Sequence, residues 1–266
     1  MPPLITSLNN QRIKRALRLR DRRGRDAQGR ILIDGAREIR RAIESGTELV
    51  ELFVWDEQPL VDDAAWVFEQ ALQSGLAVLT VSFQVLSKLV YGDRRESVVA
   101  VARTPERRLA ELTLPPEPLI AVLQQVEKPG NVGAVIRTAD AAGLSAVIVA
   151  EGGTDLYNPN TVRASLGTVF SMPLASTSSV EAIRWLREFG FQIFTARVEG
   201  AMNYAEVDYR GPVALVLGSE TTGLPDCWRG DDITAVSLRM LGAADSLNVS
   251  ATAAVLFYEA LRQRSR

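Results

Sequence analysis

The chain has no histidine and a single cysteine, Cys227, among its 266 residues. Without them the common zinc ligand sets cannot be assembled, and hydrolases that rely on a histidine base are excluded. Cys227 has no partner within the chain, so a disulfide scaffold is ruled out. No histidine is there to activate it as a nucleophile; a small residue in a loop beside Trp228 is the reading it supports. No apolar run approaches the ~18 residues needed to cross a bilayer. The start, Met1-Pro-Pro-Leu-Ile-Thr-Ser7, lacks the basic segment and apolar core of a signal peptide. A soluble cytoplasmic protein without a membrane or metal partner is the expectation. Neither half carries Gly-x-Gly-x-x-Gly after its first strand, and no phosphate-binding Gly-x-x-x-x-Gly-Lys-Ser/Thr loop occurs, which disfavours Rossmann and P-loop nucleotide binding. Chemistry must therefore run on carboxylates, Arg, Lys, Asn, Ser, Tyr or a bound cofactor.

The net charge of −2 hides an asymmetry. Residues 1–41 carry twelve basic side chains against Asp21, Asp26, Asp34 and Glu38, a net +8 that leaves −10 for the remaining 225 residues. A compact basic segment on an acidic chain points to a local anionic partner. All but Lys14 are arginines, whose planar fork suits phosphate and base recognition. A solvated helix face is the plainer alternative.

Hydrophobic residues make up 47% of the chain, enough for one large domain or two modest ones. Periodicity predicts a helix over 9–20 with Ile13 and Leu17 facing inward, a polar loop over 21–29, then an alternating series. Strands are expected at 31–33, 49–55, 77–81 and 97–102, with helices at 36–45, 63–74 and 83–90. Residues 104–118 hold four prolines, which remove backbone donors and stiffen the chain, and read as a linker. In the second half, near-continuous apolar runs predict strands at 119–126, 146–150, 169–174, 192–196, 213–217 and 235–238, as in a parallel sheet covered on both faces. Helices are expected at 132–142, 158–166, 179–189 and 247–263. The predicted organisation is α/β throughout: a small domain over 1–103, the linker over 104–118 and a parallel-sheet domain over 119–266.

Three junctions in the second half stand out. Asn131-Val-Gly-Ala-Val-Ile-Arg137 opens a helix after a strand, with Asn131 placed as its N-cap. Leu217-Gly-Ser-Glu-Thr-Thr-Gly-Leu-Pro225 follows an apolar strand and holds one acid, Glu220. That carboxylate either binds hydroxyl or amino groups of a ligand or satisfies surrounding amides, and the loop alone does not choose. Ser246-Leu-Asn-Val-Ser250 starts a helix, with Ser246 as N-cap and Asn248 beside free N–H groups that attract polar ligand atoms. Ligands of open α/β sheets bind at such strand ends, so three distant junctions suggest one site.

In order and spacing the three segments resemble the motifs of the SpoU (TrmH-like) branch of the SPOUT RNA methyltransferases. Asn131, Gly133 and Arg137 match Asn-x-Gly-x-x-x-Arg. Leu217, Gly218, Glu220 and Gly223 match Leu-Gly-x-Glu-x-x-Gly, and Ser246 to Ser250 match Ser-Leu-Asn-Val-Ser. Asn158-Pro-x-x-Val-Arg163-Ala-Ser165-x-Gly167 is similar to a further family stretch. Ile5-Thr-Ser, Arg12-Ile-Lys14 and Leu32-Ile-Asp-Gly-Ala-Arg37 resemble its ribosomal-protein-like accessory domain.

The resemblance implies an S-adenosylmethionine-dependent RNA ribose 2′-O-methyltransferase with a deep trefoil knot, dimeric through the knot domain. Its accessory domain implies ribosomal RNA over tRNA as substrate. Carried over by residue, Arg137 would be the principal catalytic group, with Asn131, Glu220, Ser246 and Asn248 around it. Gly218, Leu238, Met240, Leu247 and Thr195 would hold the cofactor. Arg163 and Ser165 would contact RNA, joined by Arg18, Arg20, Arg22 and Arg23 of the basic segment. Where the family usually has Ile-Pro-Met, this chain has Leu238-Arg-Met240, so the stiffening proline is missing. Two competing readings are an assembly factor that binds RNA without turnover and a small-molecule α/β enzyme.

Overall fold

The computed structural model describes residues 4–55, 57, 59–92, 95–152, 155–198 and 202–265. It divides into two compact units, one from the described residues of 1–106 together with Tyr157–Ser171, the other from Arg107–Leu156 with Met172–Arg266.

The first unit begins with α1 (Gln11–Arg18), capped by Asn10, whose side chain accepts from Arg12 N–H. Its buried face is Ile13 and Ala16, with Leu17 packed partly against the same core. The predicted loop that follows is instead a second helix, α2 (Arg22–Gln28). Gly24 explains why its composition misleads. A Cβ there would lie 1.8 Å from the Arg18 carbonyl oxygen, so this glycine serves a close approach to the end of α1 and not a turn. Then come β1 (Arg30–Asp34), α3 (Ala36–Glu44), β2 (Leu49–Val54), α4 (Asp62–Gln73), β3 (Ala77–Thr80), α5 (Phe83–Leu89) and β4 (Val98–Arg103). The strands order β1-β4-β2-β3, with β4 antiparallel to both neighbours and β2 parallel to β3. Ile13, Phe53, Leu86, Val99 and Val101 form the core under α1 and α5.

The chain returns to this unit as α7 (Pro159–Ala164) and α8 (Thr168–Ser171). The strand expected at 169–174 is therefore not there. Residues 168–171 are helical, and the strand begins at Leu174, after Pro173, which has no N–H to give a sheet. Arg41 Nη1 ties the corner between the helices to α3 through the Leu166 carbonyl at 2.6 Å.

In the second unit β5 (Leu119–Gln124), α6 (Pro129–Ala141), β6 (Ala146–Ala150), β7 (Leu174–Thr177), α9 (Ser179–Glu188), β8 (Gln192–Ala196), β9 (Met202–Asn203), β10 (Val213–Leu217), β11 (Ile233–Ser237) and α10 (Val249–Arg264) follow in order. The seven strands run β7-β6-β5-β10-β8-β11-β9, every pairing parallel. Strands β5, β6 and β10 are buried throughout, which is why they read as near-continuous apolar runs. The C-terminal helix α10 packs against α6 and β10. The proline-rich stretch lies on this unit: Leu109, Leu112 and Leu114 pack against its core, and the Arg107 carbonyl accepts from Ser176 N–H at 3.0 Å. The remaining expected elements are present, with ends shifted by at most three residues.

Candidate active site

Strands β5 and β10 are parallel neighbours, with Leu123 opposite Leu217, so the segments leaving their carboxyl ends emerge side by side. The strand order reverses between these two, the place where open parallel sheets bind ligands. The first motif leaves β5 and the second leaves β10.

Helix α6 starts earlier than predicted. Pro129 takes its first position, where a missing N–H costs nothing, and Lys128 is the N-cap. Asn131 is thus not a cap but lies in the first turn, and its amide is available for the second motif. Asn131 Nδ2 donates to Glu220 Oε1 at 2.7 Å. The third motif is corrected in the same way. Asn248, not Ser246, caps α10, its Oδ1 accepting from Ser250 N–H at 2.9 Å. Asn248 Nδ2 then donates to the same Glu220 Oε1 at 2.5 Å and lies 3.4 Å from Asn131 Oδ1. Glu220 Oε2 accepts from Lys128 Nζ at 2.7 Å.

One carboxylate therefore ties together the three junctions. The bond from Lys128, with smaller help from the Val249 N–H and the Asn131 amide, holds the Glu220 carboxyl below its usual range, so it is ionised at neutral pH. With both oxygens engaged it is an organiser of the site and a poor proton acceptor. Lys128 was missed from sequence because it precedes the motif; only its position between a strand end and Pro129 marks it.

Beside this cluster lies a cavity of about 460 Å³, within the range of small-ligand sites. Its walls include Gly218, Glu220, Leu238, Met240, Ser246 and Leu247, five of them expected from the sequence as cofactor or catalytic residues beside Glu220. Gly218 admits no side chain: a Cβ would lie 2.6 Å from the Gly223 carbonyl carbon and oxygen and 2.9 Å from Leu224 Cγ. The loop of the second motif thus folds directly back over the strand end. Arg197, also on the wall and unforeseen, donates to the carbonyls of Leu224, Pro225 and Trp228 at 3.2, 3.4 and 3.0 Å and pins that loop from outside.

Two expected residues stand apart. Thr195 is fully buried in β8, off the cavity wall, and its hydroxyl has no partner among the described residues. Arg137 is exposed on α6 and makes no hydrogen bond or ion pair among the described residues. Six positions after Asn131 it is roughly 9 Å further along the axis and about 240° around it, and the structure does not bring it into the Glu220 cluster.

In the first unit the basic segment separates into two groups. Arg25 is 4% exposed and donates to the Leu19 and Arg20 carbonyls at 2.6 and 2.8 Å. Arg12 pairs with Glu51, Arg37 with Glu38, and Arg40 with Glu44 and Asp63. These hold the fold. Arg18 and Arg23 are exposed without a partner among the described residues, and Arg22 pairs loosely with Asp26 at 3.7 Å. Arg20 donates to the Lys88 carbonyl at 3.0 Å, and Arg163 to that of Tyr91 at 3.3 Å. Ser165 is corrected: it is fully buried, its hydroxyl donating to the Val162 carbonyl at 2.9 Å, so it supports the turn after α7 and faces no partner.

Among the described residues no group of three His, Cys, Asp or Glu is arranged to hold a metal, and no helix is long and apolar enough to cross a membrane.

A parallel sheet with its polar cluster at the strand-order reversal, preceded by a small mixed α/β unit, is the build of a SpoU-type RNA methylase. The sequence model of the SpoU rRNA Methylase family matches residues 118–258, and that of the MRM3-like substrate binding domain matches residues 10–100. The chain belongs to the SpoU methylase family. It is 32% identical over 269 residues to the 23S rRNA (uridine(2479)-2′-O)-methyltransferase of Streptomyces viridochromogenes, covering 98% of this chain and 92% of that one. Its fold is similar to a crystal structure of an RNA 2′-O ribose methyltransferase, with TM-score 0.87, 44% identity and coverage of 99% of this chain and 100% of the other. It is also similar to an AdoMet-bound rRNA methyltransferase from Sinorhizobium meliloti, with TM-score 0.88, 30% identity and coverage of 98% and 97%.

Proposed function

We propose that this protein is an S-adenosylmethionine-dependent ribose 2′-O-methyltransferase of ribosomal RNA. The observation that carries the reading is the meeting of three sequence-distant motifs on Glu220, beside a cavity lined by four of the five residues expected to hold the cofactor. Family membership and the activities of the similar proteins support it.

The cavity fits the cofactor by its own chemistry: Leu217, Leu238 and Leu247 offer apolar walls, and the close turn at Gly218 exposes main chain where a side chain would intrude. When bound, the cofactor supplies a methyl group made electrophilic by its sulfonium. The protein's task is then alignment for in-line attack and loss of one proton. A guanidinium is a poor base, so the role of Arg137 is to hold the adjacent phosphate and polarise the ribose hydroxyl. Glu220 fixes the Asn131 and Asn248 amides at the mouth, and Ser246 and Leu247 close its rim. In the first unit Arg18, Arg20, Arg22, Arg23 and Arg163 engage RNA phosphates.

Three further parts of the reading follow from the resemblance. The C-terminal segment threads a trefoil knot, supported by α10 packing on α6 and β10 in the middle of the sheet after β11 near its edge. The protein works as a homodimer through this domain. It acts in the cytoplasm, where ribosomal RNA is met.

The test is transfer of label from S-[methyl-³H]adenosylmethionine to purified 23S rRNA and to bulk tRNA. Label in rRNA and not in tRNA supports the reading. Label confined to tRNA reassigns the substrate, and bound RNA without label reduces the protein to an assembly factor.

A further inference from the structure

The first unit holds a second cavity, of about 520 Å³, apart from the three motifs that meet at Glu220. Its walls include Leu17, Arg20, Arg22, Tyr91, Asn158 and Pro159, drawn from α1, the segment entering α2, the turn after α5 and the start of α7. Asp21 also lines it, outnumbered by Arg20, Arg22 and Arg25.

Tyr91 is the best-fixed group on this wall. Its backbone N–H donates to Asp34 Oδ2 at 2.9 Å, and that carboxylate is 3% exposed. Its carbonyl accepts from Arg163 Nη1 at 3.3 Å, and its hydroxyl oxygen accepts from Asn160 Nδ2 at 3.2 Å. The guanidinium carbons of Arg20 and Arg163 lie 5.5 and 5.8 Å from its ring centre, within cation–π range. Yet Tyr91 as a residue is only half-buried. Ordering an aromatic from four directions without sinking it into a core is the arrangement expected of a binding platform. The cations are fixed too. Arg25 braces the chain through two carbonyls, and Arg20 uses one N–H on Lys88, its remaining donors without a hydrogen-bond partner among the described residues.

We propose that this cavity is a subsite for one unpaired nucleotide of the RNA substrate, its base against Tyr91, Leu17 and Pro159 and its phosphate against Arg20 and Arg22. An aromatic platform interleaved with arginine is how single-stranded RNA is recognised, whereas a paired helix offers its backbone and keeps its bases inside. Concavity makes the same choice, since a base must leave its stack to enter. The inference rests on the RNA substrate proposed above and adds where an unstacked base goes. It also gives Asn158, Asn160 and Arg163 a common purpose. They belong to the stretch matched by the methylase family model, yet they pack within the first unit.

Full-length protein is tested with transcripts of 23S rRNA containing 4-thiouridine. Ultraviolet crosslinks on wild-type protein are expected at the peptide carrying Tyr91, from uridines unpaired in the transcript. In filter binding, Tyr91→Ala and Arg20→Gln weaken rRNA affinity about 5- to 150-fold, the range of one lost base platform. Tyr91→Phe stays within about threefold, and all three keep wild-type cofactor affinity. Tyr91→Ala with wild-type cofactor affinity and rRNA affinity within twofold of wild type overturns the proposal. So does a wild-type crosslink map that avoids this cavity, a result that stands even where Tyr91→Ala fails to fold. Wild-type protein that crosslinks at Tyr91 but transfers no methyl group sinks the proposed activity and leaves the subsite in place.

Discussion

Replacing Glu220 by glutamine preserves shape and removes the charge on which the three motifs converge. In the wild-type protein Oε1 takes the Asn131 and Asn248 amides at 2.7 and 2.5 Å, and Oε2 takes the Lys128 ammonium at 2.7 Å. A glutamine has one oxygen to share among them. Turned toward the two asparagines, it keeps both bonds as neutral ones and sets an amide N–H against the ammonium. Bonds to a charged acceptor are worth about 1.5–3 kcal/mol and neutral ones about 0.5–1.5 kcal/mol. Because the Glu220 side chain is 23% exposed, the lower end of each range applies, a loss of roughly 1 kcal/mol per bond and about 2 kcal/mol for the pair. If that energy holds the site assembled, kcat/KM falls about 30-fold. The melting temperature drops by roughly 4–8 °C for a chain of this size. Lys128→Met has a much smaller effect, because that side chain is 74% exposed. Tritium transfer, calorimetric cofactor binding and thermal melts on the two variants measure this. Glu220→Gln within twofold of wild type in transfer, with an unchanged melt, would refute the argument that this carboxylate joins the motifs.

Arg137→Ala should bind cofactor normally yet methylate about 10²–10⁴-fold more slowly, the usual worth of a group aiding proton transfer; near-normal single-turnover transfer removes Arg137 from the mechanism. Replacing Arg18, Arg20, Arg22 and Arg23 by neutral residues should reduce the slope of log affinity against log salt by up to ~0.7–0.9 per lost phosphate contact, and identical slopes would mark them as a solvated face. Gly218→Ala forces a methyl group to within 2.6 Å of the Gly223 carbonyl, so cofactor affinity should fall sharply in calorimetry; wild-type affinity would show that the loop does not form the cavity wall. Since the Glu220 pKa is lowered on folding, its stabilisation is complete above the ordinary glutamate value of about 4.3. It is lost as pH falls through the lower folded value. The melting-temperature gap between wild type and Glu220→Gln should therefore be level from about pH 5 to 9 and close only in stronger acid; a gap that closes near neutrality contradicts the assignment.

The order of helices and strands was legible because buried parallel strands such as Val213–Leu217 are unbroken apolar runs and the helices between them are periodic. The motif residues were legible by family resemblance, and Glu220, Asn131 and Asn248 do meet. What sequence obscured was local. Asn131 and Ser246 look like caps, but Pro129 fixes the start of α6 and Asn248 caps α10, so each cap lies elsewhere by two or three positions. Gly24 resembles a loop glycine while it serves helix packing, and Ser165 resembles a ligand-facing hydroxyl while it is buried. Lys128, Arg197 and Tyr91 were invisible because their partners are 92, 27 to 31 and 57 to 72 positions away. Only the folded chain brings such partners together.

The central claim is that a methyl group goes to a ribose oxygen of ribosomal RNA. Ribose 2′-O-methylation removes the nucleophile of alkaline RNA cleavage, so its position can be read directly. After incubation of wild-type protein with labelled S-adenosylmethionine and 23S rRNA, complete alkaline hydrolysis should release the label in an alkali-resistant dinucleotide. Label released in mononucleotides, as a methylated base would give, contradicts the account, as does rRNA that is bound and left unlabelled.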